Sequence, residues 1–194
     1  MHIRRAVPTT LLSLNLAPTH PPPPNAAARG WARQPVAGRW PVSTDGLDEA
    51  VPPSPAASGL RSRALCAYPC EHYPFWNTVR AQMGAASWED RLPWGALGEH
   101  LTLSGWLESE AWVGDLLRFP DCTLAVSEPR DPTADLGTVL GFPQAVQAMA
   151  AHAWSGFYLA VRVPGTLAAG EAFEVIPGRR EIGVAELFRA RRRA

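Results

Sequence analysis

The residues best suited to chemistry lie in Val126-Ser127-Glu128-Pro129-Arg130-Asp131-Pro132-Thr133-Ala134-Asp135. A β-patterned run ends here between two prolines, which stiffen the turn. Arg130 offers a planar guanidinium fork that suits a phosphate. It can equally pair with Glu128 or Asp131 at the same loop, and both readings stand. His72, in Glu71-His72-Tyr73, is either a pocket acid/base or a structural histidine at the start of a helix. Glu99, in Gly98-Glu99-His100, either hydrogen-bonds a bound group or braces a loop backbone. Tyr68 and Trp76 suit core positions better than ligand stacking. Three cysteines, Cys66, Cys70 and Cys122, give an odd count without a disulfide framework. They read as reduced thiols, which points to a cytoplasmic protein. The cysteine spacing lacks the second pair that a zinc site needs, and the five histidines include no H-x-x-x-H pair. No metal ligand is assigned.

The elements that must position these residues read as mostly strand and turn. Ala64–Tyr68, His100–Leu103, Asp115–Phe119, Thr123–Glu128, Phe157–Val163 and Glu171–Ile176 are short strands punctuated by Gly and Pro. Such a series predicts a mainly β fold, a barrel or sandwich, with a few flanking helices. Pro120-Asp121 marks a hairpin turn. The alternation Leu12-Ser13-Leu14-Asn15-Leu16 predicts a half-buried strand. Helices are expected over Phe75–Met83 after Pro74, over Pro143–Ala151, and around Val184, Leu187 and Phe188. The last ends in Arg191-Arg192-Arg193, which complements the helix dipole.

Composition fits one domain. The chain has 194 residues, 46% of them hydrophobic, and zero formal net charge. The zero net charge argues against nucleic acid as partner, since such binding relies on clustered positive charge, and no apolar run approaches the ~18 residues of a membrane span. All 18 basic residues are arginine. Without lysine the chain cannot form the internal Schiff base of a pyridoxal phosphate enzyme, so covalent pyridoxal phosphate is excluded. The basic start Met1–Arg5 and apolar Leu11–Leu16 imitate a signal peptide, but the run is short and broken by Ser13 and Asn15. His20-Pro21-Pro22-Pro23-Pro24-Asn25 reads as a stiff loop or spacer. The expected organisation is an extension over 1–10, a domain over 11–180, and a C-terminal helix with a basic tail over 181–194.

The loop around Arg130 resembles the S-x-P-R-x-P-C-x-K signature of the MOSC domain family, the molybdenum cofactor sulfurase C-terminal family. Ala64-Leu65-Cys66-Ala67-Tyr68-Pro69-Cys70-Glu71-His72-Tyr73-Pro74-Phe75-Trp76 is similar to its A-x-x-x-Y-P-x-E-H-Y-x-x-W block. Leu97–Thr102 resembles F-G-E-N-L-T, Val113–Arg118 resembles I/V-G-D-x-x-R, and Gly156–Val161 resembles G-x-Y-x-x-V. The order and spacing cover most of the chain, and the likeness is greatest to members that reduce N-hydroxylated purines.

The resemblance implies a MOSC-type β-barrel, a molybdenum cofactor (molybdopterin), a small N-hydroxylated substrate and a redox partner. It implies that Arg130, Glu99, His72 and Tyr68 contact the cofactor, Arg130 at a phosphate or pterin carbonyl. Thr133 stands where the family has the molybdenum-contacting cysteine, and a hard neutral hydroxyl is far poorer than a thiolate. Asp135 replaces its lysine, His100 its asparagine, and the G-D-x-Q-x-D and H-G-G groups have given way to Glu49–Ser54 and Ser58-Gly59-Leu60. The expected reading is thus an oxidoreductase of the molybdenum type with its function weakened or lost. The alternative is a non-catalytic MOSC-fold scaffold or binding protein. Compensated reading-frame errors over 48–58 and 131–139 are a further origin for the departures. Recovering Cys and Lys in another frame of the coding DNA would restore the enzyme reading.

Overall fold

A computed structural model describes residues 8–18, 33–47, 61–133 and 135–193. The substituted run 48–58 and the polyproline stretch lie outside the described residues. In chain order the elements are β1 (Thr10–Leu16), β2 (Gln34–Pro35), β3 (Arg39–Ser43), β4 (Gly46–Leu47), β5 (Leu65–Pro69), α1 (Tyr73–Gln82), β6 (Leu101–Ser104), β7 (Leu116–Arg118), β8 (Thr123–Pro129), α2 (Asp135–Leu140), α3 (Ala145–His152), β9 (Phe157–Val163), β10 (Gly165–Ala168), β11 (Glu174–Ile176) and α4 (Val184–Arg191). The molecule is mostly sheet with few helices.

Eight strands form one sheet in the order β11-β7-β8-β9-β5-β6-β1-β2, and β10-β3-β4 form a second. All pairings are antiparallel except β5 with β6. That parallel pair needs a long crossover, and the crossover carries α1 and the loop that holds Glu99. The expected turn at Pro120-Asp121 joins β7 to β8, with Phe119 N–H donating to Cys122 O at 2.9 Å.

The ends of the large sheet approach one another. Leu11 N–H donates to Glu171 O and Gly170 N–H to Leu11 O, at 2.9 and 2.7 Å, around a bridge between Thr10 and Ala172. Among the described residues no continuous strand ladder joins the ends, so the sheet is open where a closed barrel was expected.

Apolar side chains of β1, β5, β6, β8 and β9, including Leu11, Leu14, Leu65, Leu101, Val126 and Leu159, pack into one core with Trp106, Phe157 and Phe173. A second cluster lies under the helices, where Trp76, Leu97, Leu136, Leu140 and Met149 meet Tyr68 and Tyr73. Burial of this kind dominates the stability of such a domain.

Strand β1 departs from the simple alternation. A register shift between Leu11 and Ser13 reverses its phase, as a β-bulge does. Leu12 is exposed while Leu11 and Leu14 are fully buried, and Ser13 and Asn15 turn inward as well. A strand expected to be half-buried thus places two polar side chains inside the protein. Helix α2 was not expected, because Asp135–Leu140 falls in the run read as a decayed motif. Leu136 and Leu140, one turn apart, are buried and fix it.

Candidate functional site

Strand β8 delivers the signature loop. Pro129 ends the strand, Arg130 N–H donates to Gly156 O at 3.2 Å, and Thr133 O accepts the Leu136 N–H at 3.1 Å as α2 begins. The loop is therefore held at both ends by backbone bonds. Thr133 and Asp135 are exposed, whereas Arg130 is buried at 6%.

Arg130 reaches across to the Glu99 loop. Its Nη1 donates to Leu97 O at 2.6 Å and lies 3.7 Å from Cys66 Sγ. Glu128 pairs with Arg63 at 2.6 Å and with Arg191 of α4 at 2.9 Å, and Arg191 also approaches Asp131 at 3.9 Å. These pairs pin the base of the loop to β5's entry and to α4.

Glu99 is fully buried at the centre of a polar chain. Its Oε1 accepts from Tyr73 OH at 2.5 Å, Thr102 Oγ1 at 2.8 Å and Gly95 N–H at 2.9 Å. Asn15 Nδ2 donates to Thr102 Oγ1 at 3.0 Å, and Ser13 Oγ donates to Asn15 Oδ1 at 2.7 Å. So the bulge in β1 exists alongside a buried network that ties β1, β6, α1 and the 95–99 loop together. Glu99 Oε2 is buried and has no hydrogen-bond partner among the described residues. Burial pushes the Glu99 carboxyl up, against the pull of its donors, Tyr73 first. Burial and Glu99 together push the Tyr73 hydroxyl well up. Glu99 thus braces the backbone of the 95–99 loop through Gly95.

His100 follows Glu99. Its Nδ1 accepts the Cys66 N–H at 2.9 Å, and its own N–H donates to Cys66 O at 2.9 Å. An asparagine Oδ1 occupies the same place along a side chain as histidine Nδ1 and is likewise an acceptor. Histidine can thus replace the asparagine of the resembled motif at this contact with β5.

His72 lies elsewhere, in an aromatic wall. Its Nε2 meets Glu108 Oε2 at 2.7 Å, and its ring stacks on Trp154 at 4.4 Å. Glu108 Oε1 accepts the Gly156 N–H at 2.8 Å. Both side chains are buried. Tyr68 is fully buried and its hydroxyl accepts from Trp76 Nε1 at 2.8 Å. Arg130 thus reaches the segment that carries Glu99 and His100, through Leu97 O, Tyr73 bonds Glu99, and His72 and Tyr68 sit edge-on in the aromatic packing. Glu108 carried no signal in the sequence, and Tyr73 figured there only as part of the Glu71-His72-Tyr73 block. Glu108 sits 36 residues from His72, and no local spacing announces such a partner.

The donor set does not fit a molybdenum ion at this loop. Thr133 presents an exposed hydroxyl. Burial pushes up all three thiols, Cys66 in β5, Cys70 to about 11 and Cys122 to about 12, and none of them lies in the loop after β8 where the resemblance places the soft ligand. Among the described residues, no three His, Cys, Asp or Glu side chains are grouped to hold a metal.

The sequence matches the MOSC domain family over residues 54–174. It is 32% identical over 130 residues to "Uncharacterized protein YflK" of Bacillus subtilis (strain 168), covering 67% of this chain and 55% of that protein. It is 30% identical over 131 residues to "Protein YiiM" of Escherichia coli (strain K12), covering 66% and 55%. The chain thus spans about half the length of these curated relatives. The crystal structure of YiiM from Geobacillus stearothermophilus superposes with a TM-score of 0.72 at 25% identity, over 93% of this chain and 82% of that one. The crystal structure of YiiM from Escherichia coli gives 0.64 at 27% identity, over 79% and 70%. The chain belongs to the MOSC domain family. Among the described residues no helix is long and apolar enough to cross a membrane.

Proposed function

We propose that this chain is a MOSC-fold protein of the molybdenum-cofactor oxidoreductase type in which metal ligation is lost, leaving a binding domain. One observation carries the reading. Thr133, where the resemblance places the ligand cysteine, is an exposed hydroxyl leading into α2. Asp135 adds a negative charge one residue before the first apolar anchor of that helix. Both changes disfavour an anionic cofactor held through a soft metal bond.

A second reading keeps part of the cofactor. Arg130 and Glu99 remain, and the partnerless Glu99 Oε2 favours a bound organic donor such as a pterin ring. Such a ligand would bind without its metal. If reductase activity survives, it requires a small N-hydroxylated substrate and a redox partner. The protein we envisage works in the cytoplasm.

The test is elemental analysis together with pterin fluorescence on protein expressed in cofactor-competent cells. Molybdenum far below one atom per chain is expected. Stoichiometric molybdenum would overturn the proposal. Pterin without metal would support the second reading over the first.

A further inference from the structure

A groove of ≈ 810 Å³ opens beside α1, with walls that include Tyr73, Trp88, Trp94, Asn77, Glu71 and Arg91. We propose that it is a binding site for a neutral, planar heteroaromatic molecule whose edge carries both a donor and an acceptor, as a cyclic amide does. The volume lies in the range of small-molecule sites. Neither Thr133 nor Arg130 lines it, so the inference stands apart from the fate of the metal.

Three observations give the ligand class. First, Trp88 is 62% exposed, a large aromatic face left uncovered. Its loop is built to present it. Ser87 N–H donates to Asp90 Oδ2 at 2.9 Å, Arg91 Nη1 to Trp88 O at 2.6 Å, and Leu92 N–H to Asn77 Oδ1 at 2.9 Å. A preorganised indole costs little to stack upon. Second, the polar groups retain both kinds of capacity. Asn77 spends its carbonyl on Leu92 and keeps its amide NH₂. Glu71 accepts the Gly105 N–H on Oε1 at 2.6 Å and shares a hydrogen bond with the Cys70 thiol, and its carboxylate has lone pairs left for a further donor. Third, the walls carry one cation, Arg91, and one anion, Glu71, so a ligand without net charge suits them better than an ion of either sign.

Tyr73 connects this groove to the buried network. Its ring forms a wall and stands edge-on to Trp94 at 4.6 Å, while its hydroxyl holds Glu99.

The probes are quinazolin-4-one, which has both the aromatic face and the lactam edge, 2-piperidone, which has only the edge, and naphthalene-2-carboxylate, which has the face but an anionic edge. Binding is read by saturation-transfer NMR and calorimetry on the full chain. Quinazolin-4-one is expected to bind at least tenfold more tightly than either of the others. Trp88→Ala, at an exposed position, should weaken it about tenfold, within the span measured for base stacking on aromatics. Asn77→Asp keeps the acceptor for Leu92, removes the donor, and should also weaken binding. No binding at millimolar concentration, equal affinity for all three probes, or unchanged affinity in Trp88→Ala would each overturn the proposal. Molybdenum content, measured on the same samples, reports separately on the metal reading.

Discussion

Glu128 stands two residues before Arg130 and carries two arginines, Arg63 and Arg191. The hydrogen bond from Arg63, and then that from Arg191, hold its carboxyl below the ordinary range, against burial. A depressed carboxyl contributes stability that is complete above its unfolded value, about 4.3, and is lost as pH falls through its lower folded value. Glu128→Gln should therefore flatten the fall in stability below about pH 4.3 while costing about 1 kcal/mol at neutral pH, as partly exposed pairs do. Urea denaturation at several pH values checks this. An unchanged acid slope would mean that the cluster does not clamp the loop. At this scale the sequence was legible in part. Arg130 and Glu99 could be singled out from their motifs, and Arg130 bonds Leu97 O, two residues before Glu99. The pairing of Glu128 with Arg63 and Arg191 could not be read, because each partner lies more than 60 residues away.

Between elements, Gly156 is the joint. Its N–H holds Glu108, which holds His72, and its carbonyl receives the Arg130 N–H of the signature loop. It adopts φ of +68°, and an added Cβ would stand 2.5 Å from Ala67 O. The left-handed backbone alone costs a non-glycine residue ~1–2 kcal/mol, and the contact adds to it. Gly156→Ala should lower stability by more than about 2 kcal/mol and loosen the loop around Arg130. The denaturation midpoint measures the first, and hydrogen exchange at Arg130 measures the second. A near-neutral midpoint would contradict this role. The glycine was readable as the first residue of a G-x-Y-x-x-V run, and the strands flanking it were readable from their apolar, β-branched patterning. Helix α2 was not, since six residues offer too little periodicity to outweigh a proline-bounded loop. The phase reversal in β1 was equally hidden, because a bulge leaves no mark in alternation.

Over the whole molecule, the start of β1 does two jobs. Thr9 donates its hydroxyl to Phe173 O and accepts the Phe173 N–H on its carbonyl, while Leu11 exchanges bonds with Glu171 and Gly170. These contacts draw the ends of the eight-stranded sheet together. Leu11 and Leu14 at the same time fill the main core. Leu11→Ala should lower the melting temperature by more than about 5 °C, since it empties a fully buried position beside the bridge. Thermal melts of the wild type and the variant check this, and equal melts would mean that the sheet does not depend on this part of β1. Mainly β architecture was legible from strand spacing alone. How the sheet ends meet was not, because the bonds involved join residues about 160 apart.

The central claim is that the scaffold persists while metal ligation at position 133 is lost. The direct measurement is molybdenum per chain in wild type, Thr133→Cys, and Thr133→Cys with Asp135→Lys, all expressed in cofactor-competent cells. The thiolate is the larger change, because an exposed charge at residue 135 is strongly screened. The account predicts little metal in the wild type, a clear gain in Thr133→Cys, and a small further gain in the double variant. A wild type already holding stoichiometric molybdenum, or folded variants that gain none, would contradict it.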